Sequence, residues 1–147
     1  MIAADIRVLA DAGAVAAAAA REIAQVLATA AQEHGSASIA LAGGRTPRGL
    51  YRCLALDHRL DAPWDRVHVY WSDERDVPHD DDRSNYRMAR ESLLDHVPVR
   101  PERVHPMPTA LGEPSQAAAE YERTLRSRFD AEWPRFDIVL LGVGDDG

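Results

Sequence analysis

The chain has 147 residues, 46% of them hydrophobic and 28% charged, with a formal net charge of -7. That length supports one domain with a core, and the acidic balance argues against a general nucleic-acid or anionic-membrane binder. All 17 basic residues are arginine, which excludes a Schiff-base lysine within the chain, and the single cysteine, Cys53, excludes an internal disulfide framework.

Ile6-Arg7-Val8-Leu9 reads as a first strand. Asp11 then offers a cap for a long alanine-rich helix reaching about Glu33, with Ala16, Ala19, Ile23, Val26, Leu27 and Ala30 on one face and His34-Gly35-Ser36 as its end. Ile39 to Ala42 is small and apolar, as a buried parallel strand requires. It runs into Gly43-Gly44 and straight into a helix, with Thr46 expected as N-cap, Pro47 at the first helical position, and Leu50, Cys53 and Leu54 buried. After the break at Asp61-Ala62-Pro63, Val67 to Trp71 reads as a second buried strand, followed by the abruptly polar Ser72-Asp73-Glu74-Arg75 and an acidic loop over Asp76 to Arg83. A helix is expected from Asn85 to Val97, with Tyr86, Ala89, Leu93 and Val97 inward. An irregular proline-rich stretch follows, with a short strand at Val104-His105. Glu113-Pro114 opens a helix carrying Ala117, Tyr121, Leu125 and Phe129 every four residues. The last strand is expected over Phe136 to Leu141, leading into Gly142-Val143-Gly144-Asp145-Asp146-Gly147.

Strands alternating with helices indicate a single α/β domain over residues 1–147, a Rossmann-like parallel sheet with helices on both faces. The last strand delivers a glycine-rich turn without the helix that should follow. The domain is therefore expected to be incomplete at the C-terminus, its remainder lost or carried on another chain. The N-terminus has no basic stretch before an apolar run, and no segment approaches a membrane span, so the expectation is a cytoplasmic protein without membrane partners.

Three segments follow three core strands: Gly43 to Thr46, Ser72 to Arg75, and Gly142 to Gly147. In open parallel sheets ligands bind beyond the carboxyl ends of the strands, so the three are expected to converge on one pocket. A glycine turn opening onto a helix N-terminus presents free N–H donors and a positive dipole end to an anion such as phosphate; the plain alternative is an ordinary strand-to-helix turn. Asp73 can accept a proton or orient a water, and Arg75 can grip a phosphate; equally, the two could form a structural ion pair. Gly142, Gly144 and Gly147 spell G-x-G-x-x-G, but no helix or ribose-binding acid follows, which leaves a nest of N–H groups rather than a dinucleotide site. Asp80-Asp81-Asp82 lacks metal-loop spacing and reads as a solvated acidic loop. The six histidines show no catalytic spacing, and His68 reads as a core or inter-layer residue.

Taken together, Ala42-Gly43-Gly44-Arg45-Thr46-Pro47, Trp71-Ser72-Asp73-Glu74-Arg75-Asp76-Val77-Pro78 with Ser84-Asn85, and Leu141-Gly142-Val143-Gly144-Asp145-Asp146-Gly147 resemble the 6-phosphogluconolactonase family over essentially the whole chain, as the first three-fifths of such an enzyme. The resemblance implies hydrolysis of 6-phosphogluconolactone in the oxidative pentose phosphate pathway, with a phosphorylated sugar lactone as partner and no metal or organic cofactor. It implies Asp73 as the active-site carboxylate and Gly43, Gly44 and Thr46 as the phosphosugar turn. Arg75 would be a substrate-contacting cation and Asn85 part of the pocket wall, with Gly144, Asp146 and Gly147 leading into the catalytic segment. Arg45 departs from the family's small residue and would add a phosphate contact or face solvent. The family's histidine base would follow Gly147, so the 147-residue chain alone is expected to be weakly active at best. Two rival readings are a glucosamine-6-phosphate deaminase or isomerase, disfavoured by Arg75 and Asn85, and a non-catalytic sugar-phosphate sensor, for which Asp73-Glu74-Arg75 would be unnecessary.

Overall fold

Alanine is the best helix former, and the long alanine-rich stretch folds as α1, Ala12–His34. The Asp11 side chain accepts from the Ala14 N–H at 2.8 Å, and Gly35, at φ 79°, closes the other end by donating to Ala31 O. The computed structural model describes residues 4–109, 112–129 and 133–143. Within them α1 is followed by β1 (Ala37–Leu41), α2 (Arg45–Leu56), β2 (Val67–Trp71), α3 (Asn85–Ser92), α4 (Pro114–Arg128) and β3 (Ile138–Val139).

The strands form a parallel sheet in the order β2-β1-β3. β1 pairs with β2 from Ala37↔Val67 to Leu41↔Trp71, and with β3 at Ile39↔Ile138 and Ala40↔Val139. Side chains alternate across the sheet. Ile39, Leu41, Val67, Val69 and Trp71 meet Leu27, Leu50, Leu54 and Ala89 in the main core, formed with α1, α2 and α3. Ala40 and Tyr70 meet Tyr121, Leu125 and Phe129 of α4 on the opposite face. The sheet is therefore covered by helices on both faces, as read from the alternation of elements.

From β1 the chain crosses to β2 on one side, while β3 lies on the other. The order reverses at β1, which puts the crevice at the carboxyl ends of β1 and β3, where α/β sheets hold ligands.

Several expectations are corrected. Ile6 to Leu9 is not a strand: it pairs with none of the sheet strands, and Ile6 and Val8 lie 84% and 90% exposed. Arg7 instead reaches Glu22 on α1 at 2.6 Å. On α1 the buried face turns toward Ala20, Ala24 and Ala31, leaving Val26 exposed. By length and hydropathy α1 does meet the criterion for crossing a membrane, contrary to the sequence reading; its alanines raise the hydropathy, and seven of its residues pack into the core. Thr46 is not the N-cap of α2. Gly44, at φ 106°, already turns the chain, so the helix starts at Arg45 and Thr46 and Pro47 sit inside its first turn. Tyr51 and Ala55, rather than Cys53, complete the buried face of α2.

α3 ends at Ser92. Its hydroxyl bonds back to Met88 O, and the chain leaves the helix at Leu93 (φ -138°) for a 3-10 turn in which Leu93 and Leu94 are both buried. Val104-His105 makes a single bridge to Val69, and β3 is limited to two residues, with Leu141 80% exposed.

Candidate active site

The carboxyl rim is assembled mainly by bonds to main chain. Tyr51, fully buried on α2, accepts from the Ala42 N–H at 3.0 Å and donates to Ala42 O at 2.7 Å, gripping the residue that follows β1. Tyr121 on α4 repeats the device across the sheet, accepting from Trp71 N–H at 2.9 Å and donating to Trp71 O at 3.2 Å. Burial pushes both phenols up, Tyr121 to about 12, against the opposing pull of these hydrogen bonds. The Asp73 charge adds a smaller share to the rise at Tyr51.

Asn85 joins the turns after β1 and β2. It is buried, its Nδ2 donates to Asp73 O at 3.1 Å, and its amide lies so close to Gly43 that a Cβ there would sit 2.0 Å from Oδ1. Gly43 is thus required by close approach and Gly44 by its positive φ. The third strand end is tied in by Ser72, whose N–H donates to Leu41 O at 2.8 Å and whose Oγ donates to Leu140 O at 2.9 Å.

Glu74 is the residue the sequence reading passed over. Its carboxylate accepts from the Asn85 N–H (2.7 Å), the Tyr86 N–H (2.8 Å) and the Arg75 N–H (2.8 Å), and from Ser84 Oγ at 3.2 Å. It caps α3 at the positive end of the helix. The signal was present only indirectly, as an acid beside a polar run ahead of a Ser-Asn helix start. Tyr51 offered a clearer one, since a tyrosine on the inward face of an amphipathic helix needs a partner for its hydroxyl.

With Glu74 engaged, Asp73 and Arg75 are both exposed and form no ion pair with each other, so the structural-pair alternative is not realised. Arg45 and Thr46 are also exposed, at the start of α2. The structure therefore brings Gly43, Gly44, Arg45, Thr46, Asp73, Arg75 and Asn85 to one rim. Gly144, Asp146 and Gly147 lie outside the described residues. The acidic loop is ion-paired rather than merely solvated: Asp81 meets Arg83 at 2.9 Å, which holds its carboxyl down at about 2, and Asp82 meets Arg87 at 2.7 Å. A cavity of about 420 Å³ beside the loop, lined by Glu74, Asp76, Met107, Leu125 and Trp133, is largely apolar and does not suit a phosphosugar.

Such a rim offers N–H donors for an anion, cations beside them, and a carboxylate that can orient a water or a base. The family model for glucosamine-6-phosphate isomerases/6-phosphogluconolactonase matches residues 10–147. The chain is similar to a 6-phosphogluconolactonase from Synechocystis, 48% identical over 78% of this chain and 48% of that protein. It is also similar to one from Mycobacterium leprae, 38% identical over 98% of this chain and 60% of that protein. The solved 6-phosphogluconolactonase from Trypanosoma brucei superposes with a TM-score of 0.83 at 33% identity, over 96% of this chain and 60% of that one. The chain thus spans about half to three-fifths of the length of these proteins.

Proposed function

Since this chain belongs to the glucosamine-6-phosphate isomerase and 6-phosphogluconolactonase family, we propose that it supplies the phosphosugar-binding part of a site that hydrolyses 6-phosphogluconolactone to 6-phosphogluconate. The observation that carries this reading is the meeting of the turns after β1 and β2 with the end of β3 at one rim, Gly43 against Asn85 and Ser72 tied to Leu140. A phosphate fits the N–H groups of Gly43, Gly44 and Thr46, with Arg45 as an added contact, and Arg75 as the cation for the sugar end. Asn85 acts as strut and pocket wall between the two turns.

Hydrolysis requires water to attack C1, the bond from C1 to the ring oxygen to break, and a proton to reach that oxygen. Asp73 is suited to orient the attacking water or its base. A carboxylate is a weak base at neutral pH, so a stronger base is needed beside Asp73, and the turn containing Gly144, Asp146 and Gly147 would lead toward it. No cofactor is required. The single cysteine and the sugar-phosphate substrate fit a cytoplasmic location.

The test has two arms. Calorimetry should show 6-phosphogluconate binding to the 147-residue chain, weakened by Thr46→Ala and Arg75→Gln. Lactone turnover should be low in this chain and restored when it is joined to the rest of a family domain, falling about 10²-fold or more with Asp73→Asn. Equal turnover by the short and long proteins, or ammonia release from glucosamine-6-phosphate in place of lactone hydrolysis, overturns the reading.

A further inference from the structure

The opposite rim of the sheet holds a cluster that the proposed reaction does not use. His68, at the start of β2, has its Nε2 2.8 Å from Arg103 Nη1 and 2.9 Å from Arg128 Nη2. A guanidinium only donates, so His68 Nε2 must accept, and its proton sits on Nδ1, donating to His105 Nε2 at 3.0 Å. One imidazole lone pair cannot satisfy two guanidinium donors, and neither arginine meets a carboxylate within ion-pair distance among the described residues. In a chain of net charge -7, two cations crowd one neutral ring.

A second, independent observation comes from Tyr70. It is fully buried, its hydroxyl lies beside the Arg128 guanidinium without a well-formed hydrogen bond among the described residues, and it lines a cavity of about 210 Å³ with His68, Arg128, Ser36 and Ser38. An unsatisfied buried hydroxyl is costly unless a ligand or water completes it. Arg128 also reaches Ser36 Oγ at 3.3 Å, adding a hydroxyl to the same wall. The charged groups that oppose an anion are few. Asp137 is already taken by the Ser38 N–H and Oγ, both at 2.7 Å, and Glu102 borders, together with Arg103, the adjoining, more open cavity of about 570 Å³. Arg135 adds a further cation to the lining and His34 an imidazole.

We propose that this cleft is a second anion site, taking a phosphate group, free or as a monoester, between Arg128 and the Tyr70 hydroxyl, with Arg103 beside it across the His68 ring. Five-residue strands at about 3.3 Å per residue separate it by roughly 16 Å from the carboxyl rim, so it holds a ligand distinct from the sugar phosphate proposed there.

The test is a titration of the isotope-labelled chain with inorganic phosphate against chloride at matched ionic strength, followed by NMR at the Ser36 and Ser38 amides and the His68 ring. Saturable shifts are expected, together with an upward move in the His68 titration as the anion offsets the two guanidinium charges. Arg128→Gln should weaken the binding about tenfold or more. Arg103→Gln serves as the second variant should the first fail to fold. Glucose 6-phosphate as a parallel titrant tells a monoester from free phosphate. Ser36 and His68 signals unmoved by phosphate, or moved equally in Arg128→Gln, overturn the proposal. The Gly43 and Thr46 amides report the other rim separately, so either site can fail while the other stands.

Discussion

At the carboxyl rim of the sheet, geometry is set by bonds to main chain: Tyr51 on Ala42, Tyr121 on Trp71, Glu74 on the first N–H groups of α3, and Ser72 on Leu140. At the amino rim, Arg103, Arg128, His68 and His105 are held mainly by one another through side chains. The two rims are held in different ways. A frame fixed through backbone groups keeps its shape while its exposed side chains, Arg45, Asp73 and Arg75, stay available to a ligand. A cluster of side-chain charges keeps its shape only in one protonation state, and its unmet donors are themselves the binding potential.

The sharpest way to break the first frame is at its tightest contact. Gly43→Ala would place a methyl group 2.0 Å from Asn85 Oδ1, so either the turn or Asn85 must move. The expected loss is about 3 kcal/mol in urea unfolding, the upper range for overpacking. Gly43→Ala with Asn85→Ala should recover part of it, because the second change removes the obstructing amide. If Gly43→Ala alone is neutral, the close approach of the two turns is wrong.

Next in size is Glu74→Gln, which puts an amide NH₂ among N–H donors and removes the charge from the start of α3. It should cost about 2 kcal/mol. Tyr51→Phe and Tyr121→Phe each leave two buried backbone groups without their bridge and should cost about 1.5 kcal/mol. Tyr51→Phe should also weaken 6-phosphogluconate binding measured by calorimetry, since it frees the turn that carries Gly43. Tyr121→Phe acts on the β2 end and should alter that binding less. Loss of stability without any change in binding for Tyr51→Phe would separate the clamp from the site.

What the sequence made legible follows the range of the interactions. The apolar run Val67 to Trp71 gives the strand its observed bounds, and Asp11 and Gly35 mark the ends of α1 through caps acting within four residues. The rim itself followed from strand order, because polar turns after parallel strands must share an edge. What escaped depends on partners far along the chain. Tyr51 bonds nine residues back, Tyr121 fifty back, and Arg128 sixty back to His68, and no periodicity encodes those pairings. Ile6 to Leu9 has the composition of a strand, but a strand must lie along a partner edge, and this segment is held to α1 through Arg7 and Glu22 instead. The family motifs carried Asp73, Arg75 and Asn85 to one place, yet passed over Glu74, whose work is structural.

The smallest expected effect belongs to the amino rim and distinguishes it from the other by pH. Burial and the neighbouring guanidinium charges of Arg128 and Arg103, with His105, hold the His68 imidazole down at about 4, and burial with Arg128 lowers His105 as well. An unfolded histidine titrates near 6.5. Between these values the unfolded chain binds protons that the folded chain does not, so stability is complete above about pH 6.5 and is lost as pH falls toward about 4. Because His68 is only half-buried, solvent screening keeps its share below about 1 kcal/mol. His68→Asn should flatten the urea midpoint across this window, leaving the smaller contribution of His105. Above about pH 5, where carboxylates stay ionised, the Gly43 and Ser72 amide signals should not move. A pH-dependent midpoint that persists unchanged in His68→Asn would shift its origin from this cluster to the carboxylates elsewhere.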